Sequence, residues 1–498
     1  MRQKKSPKRS LRHYKNPTRQ VLKKEPAVFF IGLEKISFNS YTDKMKKTRK
    51  QESKKTKSPL PPLLKGAFRP ELLAPAGNLE KMKTAFAFGA DAVFAGIPNF
   101  SLRVRINDFT VESLKEAVEY AHSLDKKIYI TLNIFAHNHH IKNLPEYIKT
   151  LKDLKPDGLI VSDPGVIEAI REIWPKAVIH LSTQANCTNW QAAKFWHKQG
   201  LERVILGREV SLEEVKEIRK RIPKLELETF IHGAMCMAYS GRCFLSKYYT
   251  GRSANLGDCA QVCRWKFDVD DKTGGEVFIK PDGHDTALEM VEEEHGSYMI
   301  NSKDMCLIKH VPELIEAGIS SFKIEGRAKS VYYLACVIGS YRKAIDIQYD
   351  KKLSDKEKKK VLNTLYKDLE EKLKHRGYTD GFMFGVGKSA QNLENSHNES
   401  DWEFCGQAIS HNAQRVTRNG KTQTKYKINI KAHNTLKIGD TIEIIRPGYD
   451  IIKMKLKKMA DADSGEKLEV AHGGQKKVIM IELDEKVPEY SVIRRKKK

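Results

Sequence analysis

The sequence has little cysteine and no long apolar segment. No stretch approaches the roughly 20 consecutive apolar residues that a membrane-spanning helix needs, and the basic first residues lack the apolar core of a secretory signal. We therefore expect a cytoplasmic protein without a membrane partner. In that reducing compartment cysteines remain thiols, so clustered cysteines indicate metal binding or chemistry rather than disulfides.

Acidic residues are scarce at the start of the chain. Residues 1–60 contain 19 Lys and Arg but only four Asp and Glu, so this segment carries more than half of the net charge of +26. A segment with few large apolar side chains cannot bury enough surface to offset the entropy of ordering. Residues 1–67 are therefore predicted to be a disordered basic tail, which either solubilises or targets the protein or attracts RNA phosphates.

From residue 70 onwards, short apolar runs alternate with amphipathic segments of helical period. The runs occupy residues 71–74, 92–95, 128–132, 158–161, 178–181, 203–206 and 227–231, with two further candidates at 298–302 and 321–326. Helical segments fit between them, for example at 113–124 and 211–222. This alternation predicts an α/β fold, a TIM-like (β/α) barrel over residues 68–385 with an insertion at about 266–296.

The hydrophobic period changes to two near the end of the chain. Short alternating runs such as "YKINIKA" and "KKVIMIEL" are separated by turn-forming residues. This pattern predicts a small all-β barrel domain over residues 400–498. Domains of this kind bind RNA or protein, and the fold alone does not decide between them.

Polar sequences follow the predicted strands at their C-terminal ends, where barrels of this type carry their chemistry. They include "STQAN" at 182–186, "GRE" at 207–209 and "HGAMC" at 232–236. The amide groups of Gln184 and Asn186 are suited to hydrogen-bond the edge of a uracil base. The first cysteine of the cluster therefore lies at the predicted barrel mouth.

Four of the eight cysteines, Cys236, Cys243, Cys259 and Cys263, fall within 28 residues. Gaps of six, fifteen and three residues separate them, and this spacing lacks the paired C-x2-C hooks of common zinc sites. An iron–sulfur cluster tolerates such gaps because its four thiolates surround a larger inorganic core. The spacing alone leaves open an iron–sulfur cluster, a zinc site, and structural or catalytic thiols.

The residues around these cysteines, "ETFIHGAMCMAYSGRCFLS" at 228–246, resemble the signature of the collagenase-like peptidase family. The segments "ELLAPAGNLEKMKTAFAFGADAVFAG", "IHLSTQAN" and "SFKIEGRAKSVYY" resemble a branch of that family that hydroxylates tRNA. The resemblance covers about residues 68–385 strongly and the β domain weakly. The basic tail lies outside it.

This resemblance implies a prephenate-dependent, oxygen-independent hydroxylation of the wobble uridine of tRNA, position 34, to 5-hydroxyuridine, with a redox partner that it does not identify. It also implies a [4Fe-4S] cluster whose ligands fall on Cys236, Cys243, Cys259 and Cys263. Some relatives take the fourth ligand from the region of Cys306, but the short loop from Cys259 favours Cys263. Two rival functions remain, a cysteine-type peptidase or other hydrolase and a non-catalytic iron–sulfur scaffold subunit of a hydroxylation complex.

Prephenate carries two carboxylates, and guanidinium groups bind a carboxylate through two parallel hydrogen bonds. Among the basic residues near the predicted mouth, Arg105, Arg208 and Lys323 lie on or just beyond a barrel strand, and Arg327 lies a few residues further on. We interpret these four residues as candidates for substrate binding. Salt bridging or surface solvation is the alternative role for each.

Two residues of the strand that leads to the cysteines are catalytic candidates. A histidine titrates near neutrality, so His232 is suited to proton transfer, or else it is a packed residue that orders the cysteine loop. Glu228 either orients a substrate base or pairs with an internal arginine. Tyr239 and Trp265 flank the cysteines and either stack on a base or cover the cluster.

Overall fold

The computed structural model describes residues 69–96, 108–236, 238–239, 242–243, 245–254, 258–265, 267–273, 276–281, 288–290, 302–385, 400–418, 421–474 and 477–497. The predicted basic tail at 1–67 lies outside the described residues, as does Arg105.

Eight parallel strands close into a barrel. The strands up to residue 379 are β1 Glu71–Pro75, β2 Ala92–Ala95, β3 Lys127–Leu132, β4 Gly158–Val161, β5 Ile179–Leu181, β6 Arg203–Ile205, β7 Glu226–Ala234, β8 Phe267–Thr273, β9 Glu276–Pro281, β10 Leu288–Met290, β11 Asp304–Cys306, β12 Ser321–Ile324 and β13 Tyr378–Thr379. Strands β1 to β7 pair in sequence, and β12 closes the barrel by pairing with both β7 and β1. The prediction of a TIM-like barrel is confirmed.

Helices cover the outside of the barrel. They are α1 Leu79–Ala87, α2 Val111–Ser123, α3 Asn138–Leu154, α4 Pro164–Ile173, α5 Trp190–Lys198, α6 Leu212–Arg221, α7 Leu245–Thr250, α8 Val311–Glu316, α9 Val331–Tyr349 and α10 Asp355–Lys372. At the start of α6, Ser211 and Glu214 each accept a hydrogen bond from the other's backbone amide, and this reciprocal pair satisfies two amides that the helix leaves without partners.

The strand after the cysteine region differs from the sequence prediction. Of the predicted strand at 298–302, residues 298–301 lie outside the described part of the chain. The strand that the structure contains there is β11, which runs antiparallel to β7 and pairs with its last residues, His232 to Ala234. Since β7 has nine residues, its C-terminal end extends far enough to pair with an added strand. Strands β8 to β10 form a separate three-stranded sheet within the predicted insertion.

The C-terminal part of the chain is all-β, as predicted. Its strands are β14 Trp402–Arg418, β15 Lys421–Ala432, β16 Leu436–Lys437, β17 Thr441–Arg446, β18 Asp450–Lys455, β19 Ala460–Asp461, β20 Val470–Ala471, β21 Val478–Leu483 and β22 Val492–Lys496. Seven of them form one antiparallel sheet in the order β18, β17, β22, β14, β15, β21, β19, and β16 pairs with β20. Arg494 of this sheet is fully buried and donates hydrogen bonds to Asp368 of α10 at 2.8 and 3.0 Å, which fastens the sheet to the barrel helices.

Side chains on one face of β7 contact arginines at both ends of the barrel. Glu226, Glu228 and Phe230 project from the same face of the strand, because successive residues of a strand point in opposite directions. Glu226 and Glu228 contact Arg203, the first residue of β6, whereas Phe230 contacts Arg208 beyond the end of β6.

Within the described residues, no helix is both long and apolar enough to cross a bilayer.

Candidate active site

Three of the four predicted substrate-binding cations gather around two phenyl rings at the barrel mouth. The Arg208 guanidinium lies 3.7 Å from the ring centre of Phe230. The Lys323 ammonium lies 5.6 Å from the same ring and 4.5 Å from Phe94, and the Arg327 guanidinium lies 5.7 Å from Phe94. We call Arg208, Lys323 and Arg327 the mouth cations. They place three cationic side chains at the strand ends, where barrels of this type build their sites.

Carboxylates hold two of the mouth cations in place. Glu325 lies 3.3 Å from Arg208, and Glu228 lies 2.7 Å from the Lys323 ammonium. Burial lowers the pKa of Lys323, and Glu228 opposes that shift by stabilising the charged form. Glu325 was not among the sequence candidates, although its position in "KIEGR" between two of them was the signal that could have found it.

Glu228 adopts the internal pairing that was one of its two expected roles. Its second carboxylate oxygen lies 3.1 Å from Arg203, which also binds Glu71 at 2.6 Å and Glu226 at 2.7 Å. Glu228 is fully buried. It therefore connects the mouth cations to a charge network at the opposite end of the barrel, and a direct catalytic role stays a prediction.

That network, which we call the N-terminal network, comprises Glu71, Tyr129, Arg203, Glu226 and Glu228. The Tyr129 hydroxyl donates a hydrogen bond of 2.7 Å to Glu71. Glu71, Arg203 and Glu226 are the first residues of β1, β6 and β7, so the network lies at the N-terminal end of the barrel. In barrels of this type that end contributes stability rather than chemistry.

The loop after β5 carries the amide groups of Gln184 and Asn186, and their role in binding a base stays a prediction. A short 3-10 helix, Thr183–Ala185, follows β5, and Asn186 ends it in the left-handed conformation. The side-chain oxygens of Gln184 and Asn186 are buried and accept no hydrogen bond from any residue that the structure describes. Buried acceptors of this kind favour a ligand that donates hydrogen bonds, such as the N–H of a uracil ring.

The Asn186 amide nitrogen also donates to the backbone carbonyl of Tyr239, at 3.4 Å. Tyr239 stands between the first two clustered cysteines, and its side chain is 55% exposed. The contact joins the amide loop to the cysteine segment, residues 236–263. An exposed ring at this junction is available to stack on a base.

His232 is packed rather than open to solvent. Its ring lies among the rings of Tyr333, Tyr341 and Tyr378, with centres 5.4 to 5.9 Å apart. Burial lowers the pKa of His232 to about 3, so the imidazole is neutral at neutral pH. This environment favours the packed-histidine role, and proton transfer by His232 stays a prediction.

Gly233 turns the end of β7 towards the cysteines. Its φ of +108° lies in the region that favours glycine, and an added Cβ would stand 2.5 Å from the carbonyl oxygen of Glu325. The amide of Glu325 in turn donates to the His232 carbonyl at 2.9 Å. The start of the cysteine segment is thus held against the loop that carries Glu325 and Arg327.

The eight cysteines divide by exposure. Cys236 and Cys259 are exposed and Cys243 and Cys263 are half-buried, whereas Cys187, Cys306, Cys336 and Cys405 are buried. The accessible set is the clustered set. Cys306 lies in the core, its sulfur 4.0 Å from the Tyr341 hydroxyl, and burial raises its pKa to about 12.

Three of the accessible thiols, Cys236, Cys243 and Cys259, are neighbours. Burial raises the pKa of Cys243, and the nearby Cys236 and Cys259 raise it further. The sulfur of Cys259 accepts hydrogen bonds from the Ser246 hydroxyl at 3.8 Å and the Gln261 amide at 3.4 Å. Among the described residues, no three His, Cys, Asp or Glu side chains are arranged to hold a single metal ion. A set of thiols with hydrogen bonds to sulfur suits an iron–sulfur cluster, whose core is larger than one ion.

The fold and the site define a (β/α) barrel protein with a cationic mouth and a cysteine segment attached to that mouth. The chain belongs to peptidase family U32. The model for "Peptidase family U32" matches residues 77–393, and the model for the "Peptidase family U32 C-terminal domain" matches residues 411–494. The family resemblance read from the sequence is confirmed.

Relatives in this family carry different names. The chain is 41% identical over 429 residues to "tRNA hydroxylation protein P" of Haemophilus influenzae, which covers 79% of this chain and 89% of that protein. It is 33% identical over 319 residues to "23S rRNA 5-hydroxycytidine C2501 synthase" of Escherichia coli, with 64% and 46% covered. It is 31% identical over 330 residues to "Collagenase" of Porphyromonas gingivalis, with 63% and 73% covered.

Proposed function

We propose that this protein hydroxylates tRNA at carbon 5 of the wobble uridine and uses prephenate as co-substrate, without molecular oxygen. The observation that carries the proposal is the grouping of the mouth cations with the buried oxygens of Gln184 and Asn186, which accept no hydrogen bond from the described residues. A dicarboxylate requires several cations in one place, and it would share Arg208 with Glu325. Similarity to a tRNA hydroxylation protein over most of both chains supports the substrate class. The 5-hydroxycytidine named for a second relative supports hydroxylation at a pyrimidine carbon.

Each part of the mouth has a role in this reaction. Arg208 and Arg327 bind the carboxylates of prephenate, and Glu325 orients the Arg208 guanidinium through their 3.3 Å ion pair. The buried oxygens of Gln184 and Asn186 accept hydrogen bonds from the target base. The wobble base is unpaired in its loop, so moving it into the mouth costs less than extruding a base from a duplex.

Cys236, Cys243, Cys259 and Cys263 would hold the [4Fe-4S] cluster. A bound cluster supplies one-electron redox chemistry at the mouth. The Ser246 hydroxyl and the Gln261 amide donate to the Cys259 sulfur, and such hydrogen bonds tune the potential of a cluster.

A hydrolase with a cysteine nucleophile is the rival that the family name suggests. It requires one activated thiolate beside a general base. Neither of the two hydrogen-bond donors to the Cys259 sulfur is a base, and the raised pKa of Cys306 keeps that thiol protonated at neutral pH. These observations disfavour Cys259 and Cys306 as the nucleophile of a hydrolase. The second rival, a scaffold subunit, is distinguished by activity of the purified chain.

The test uses anaerobically purified protein and unmodified tRNA, with and without prephenate. Digestion of the RNA and mass spectrometry of the nucleosides should show a gain of one oxygen on uridine only when prephenate is present. Equal hydroxylation without prephenate would remove the co-substrate from the proposal. Cleavage of collagen or another peptide with no change to the RNA would replace it with the hydrolase.

A further inference from the structure

A cleft of about 380 Å³ lies where the C-terminal sheet meets the ends of α9 and α10. Its walls include Tyr332, Lys374, Trp402, Phe404 and Lys497. We call it the lysine–aromatic cleft. It is separate from the mouth residues described above, and its volume lies in the range of sites for small ligands.

Aromatic rings form part of the wall. Tyr332 and Phe404 are stacked, with ring centres 5.5 Å apart and planes 11° from parallel. Trp402 lies beside them at the start of β14 and is partly exposed, with the Lys372 ammonium 4.5 Å and the Arg494 guanidinium 5.4 Å from its ring centre. Partly exposed rings of this kind accept a planar base by stacking.

The charged residues of the cleft leave an excess of positive charge. Glu403 is neutralised by Arg495 at 2.7 Å, and Lys372 is neutralised by Asp368 at 2.8 Å and Glu443 at 3.0 Å. Lys374 and Lys497 are exposed and form no ion pair with a residue that the structure describes, and the Lys497 ammonium donates a hydrogen bond to the Ser400 carbonyl at 2.8 Å. Two such ammonium groups next to aromatic rings match the phosphate and base of a nucleotide.

The cleft is connected to the mouth through its inner wall. Tyr333 lines the cleft, and its hydroxyl donates to the Glu325 carbonyl at 3.0 Å. Lys329, which also lines the cleft, follows Arg327 by two residues and lies 5.3 Å from the Tyr333 ring. A ligand in the cleft therefore lies on the same loop as two residues of the mouth.

We infer that the lysine–aromatic cleft binds an unstacked nucleotide of the tRNA loop that carries the target uridine, with its base on Trp402 and its phosphates at Lys374 and Lys497. The inference rests on the proposed function for the identity of the RNA. It assigns the C-terminal sheet a direct part in RNA binding, because Trp402 and Lys497 belong to that part of the chain.

The first test measures binding of unmodified tRNA to the full-length double variant Lys374→Ala/Lys497→Ala over a range of salt concentrations. Removing two ammonium groups that each neutralise a single-strand phosphate should lower the log–log salt slope by about 1.4 and weaken binding about 10-fold at moderate salt. The matched control is Lys198→Ala/Lys224→Ala, two exposed lysines just before β6 and β7, at the opposite end of the barrel. The control should bind like the wild type.

The second test separates stacking from charge. Trp402→Leu should weaken binding about 5- to 100-fold without changing the salt slope, and Trp402→Phe, which keeps a ring, should restore most of the affinity. Thermal unfolding of each variant checks that the sheet is intact. If neither tRNA affinity nor slope changes in the lysine variant, the inference is overturned. If the wild-type protein neither binds nor hydroxylates tRNA, the proposed function itself fails.

Discussion

The two ends of the barrel differ in how completely their buried polar and charged groups are paired. At the N-terminal end, Arg203 is surrounded by three carboxylates within 3.1 Å, and Tyr129 and Ser321 add hydrogen bonds to Glu71. At the mouth, Arg208 and Lys323 each pair with a single carboxylate of the described residues, and the buried oxygens of Gln184 and Asn186 accept no hydrogen bond from those residues. A satisfied network rigidifies a core, whereas incompletely satisfied groups fit a site that a ligand completes.

The cysteines repeat this contrast. The four clustered cysteines are exposed or half-buried, and the other four are buried. Buried thiols act as small apolar side chains, whereas accessible thiols can take up metal. The difference predicts that substitutions of the buried thiols change stability and that substitutions of the accessible thiols change cofactor content or activity.

The largest expected effect concerns the fourth cluster ligand. Protein purified without oxygen should contain about four iron and four sulfide per chain, and Cys263→Ala should lose that iron together with hydroxylation. Cys306→Ala should retain the iron, because Cys306 is buried in the core beside Tyr341. Iron and sulfide analysis with absorption spectroscopy makes the measurement.

Stoichiometric zinc without sulfide in the wild-type protein would contradict the cluster assignment. If Cys306→Ala loses its iron and Cys263→Ala keeps it, the fourth cluster ligand is Cys306 rather than Cys263. Cys187→Ala is a matched control, since Cys187 is another buried thiol remote from the cluster in sequence.

The next effect tests the N-terminal network. Arg203→Met should destabilise the barrel by about 3 to 5 kcal/mol, because it leaves the buried Glu228 and the largely buried Glu71 without their shared partner. Lys216→Met is the control, since Lys216 pairs with Glu213 on the exposed face of α6, and such a pair contributes at most about 0.5 kcal/mol. Denaturant unfolding of both variants gives the comparison. Similar losses of unfolding free energy in both variants would show that the network stabilises the barrel no more than an exposed ion pair does.

Much of the barrel could be predicted because its strands are short and apolar. The observed bounds of β2 and β4 match the predicted runs, and the capping pair at Ser211 marks the start of α6. The position of the cysteines at the mouth followed from the end of β7. These features depend on local sequence, which was therefore sufficient to predict them.

Contacts between distant residues were not predictable in the same way. Arg203 meets Glu71 from 132 residues away, and each looks like an isolated charge at the edge of an apolar run. Phe94 was read as part of a strand, and only the barrel register places its ring beside Lys323. Strand β11 has three residues and no alternation, so its addition to β7 depends on tertiary structure.

A smaller effect is expected at the mouth. Arg208→Lys keeps the charge but removes the planar fork that contacts Phe230 and Glu325. Catalytic efficiency with prephenate should fall about 10- to 100-fold, mostly through a higher KM. Iron content and unfolding should stay near wild type. A variant that loses its iron or unfolds readily would show that Arg208 is structural, and would weaken the contrast between the two ends.

The smallest expected effect concerns the basic tail. Deleting it tests whether electrostatic attraction of the RNA is separate from recognition of the target base at the mouth. Deleting residues 1–60 removes an excess of 15 positive charges. Binding of tRNA should weaken, and the log–log salt slope should decrease by roughly 0.7 to 0.9 for each phosphate that the tail no longer neutralises. The hydroxylated position should stay the same, because the mouth and not the tail selects the base. Fluorescence anisotropy at several salt concentrations, followed by nucleoside analysis, makes both measurements. An unchanged slope would leave the tail a solubilising or targeting role, and a shifted position of hydroxylation would mean that the tail helps to place the RNA.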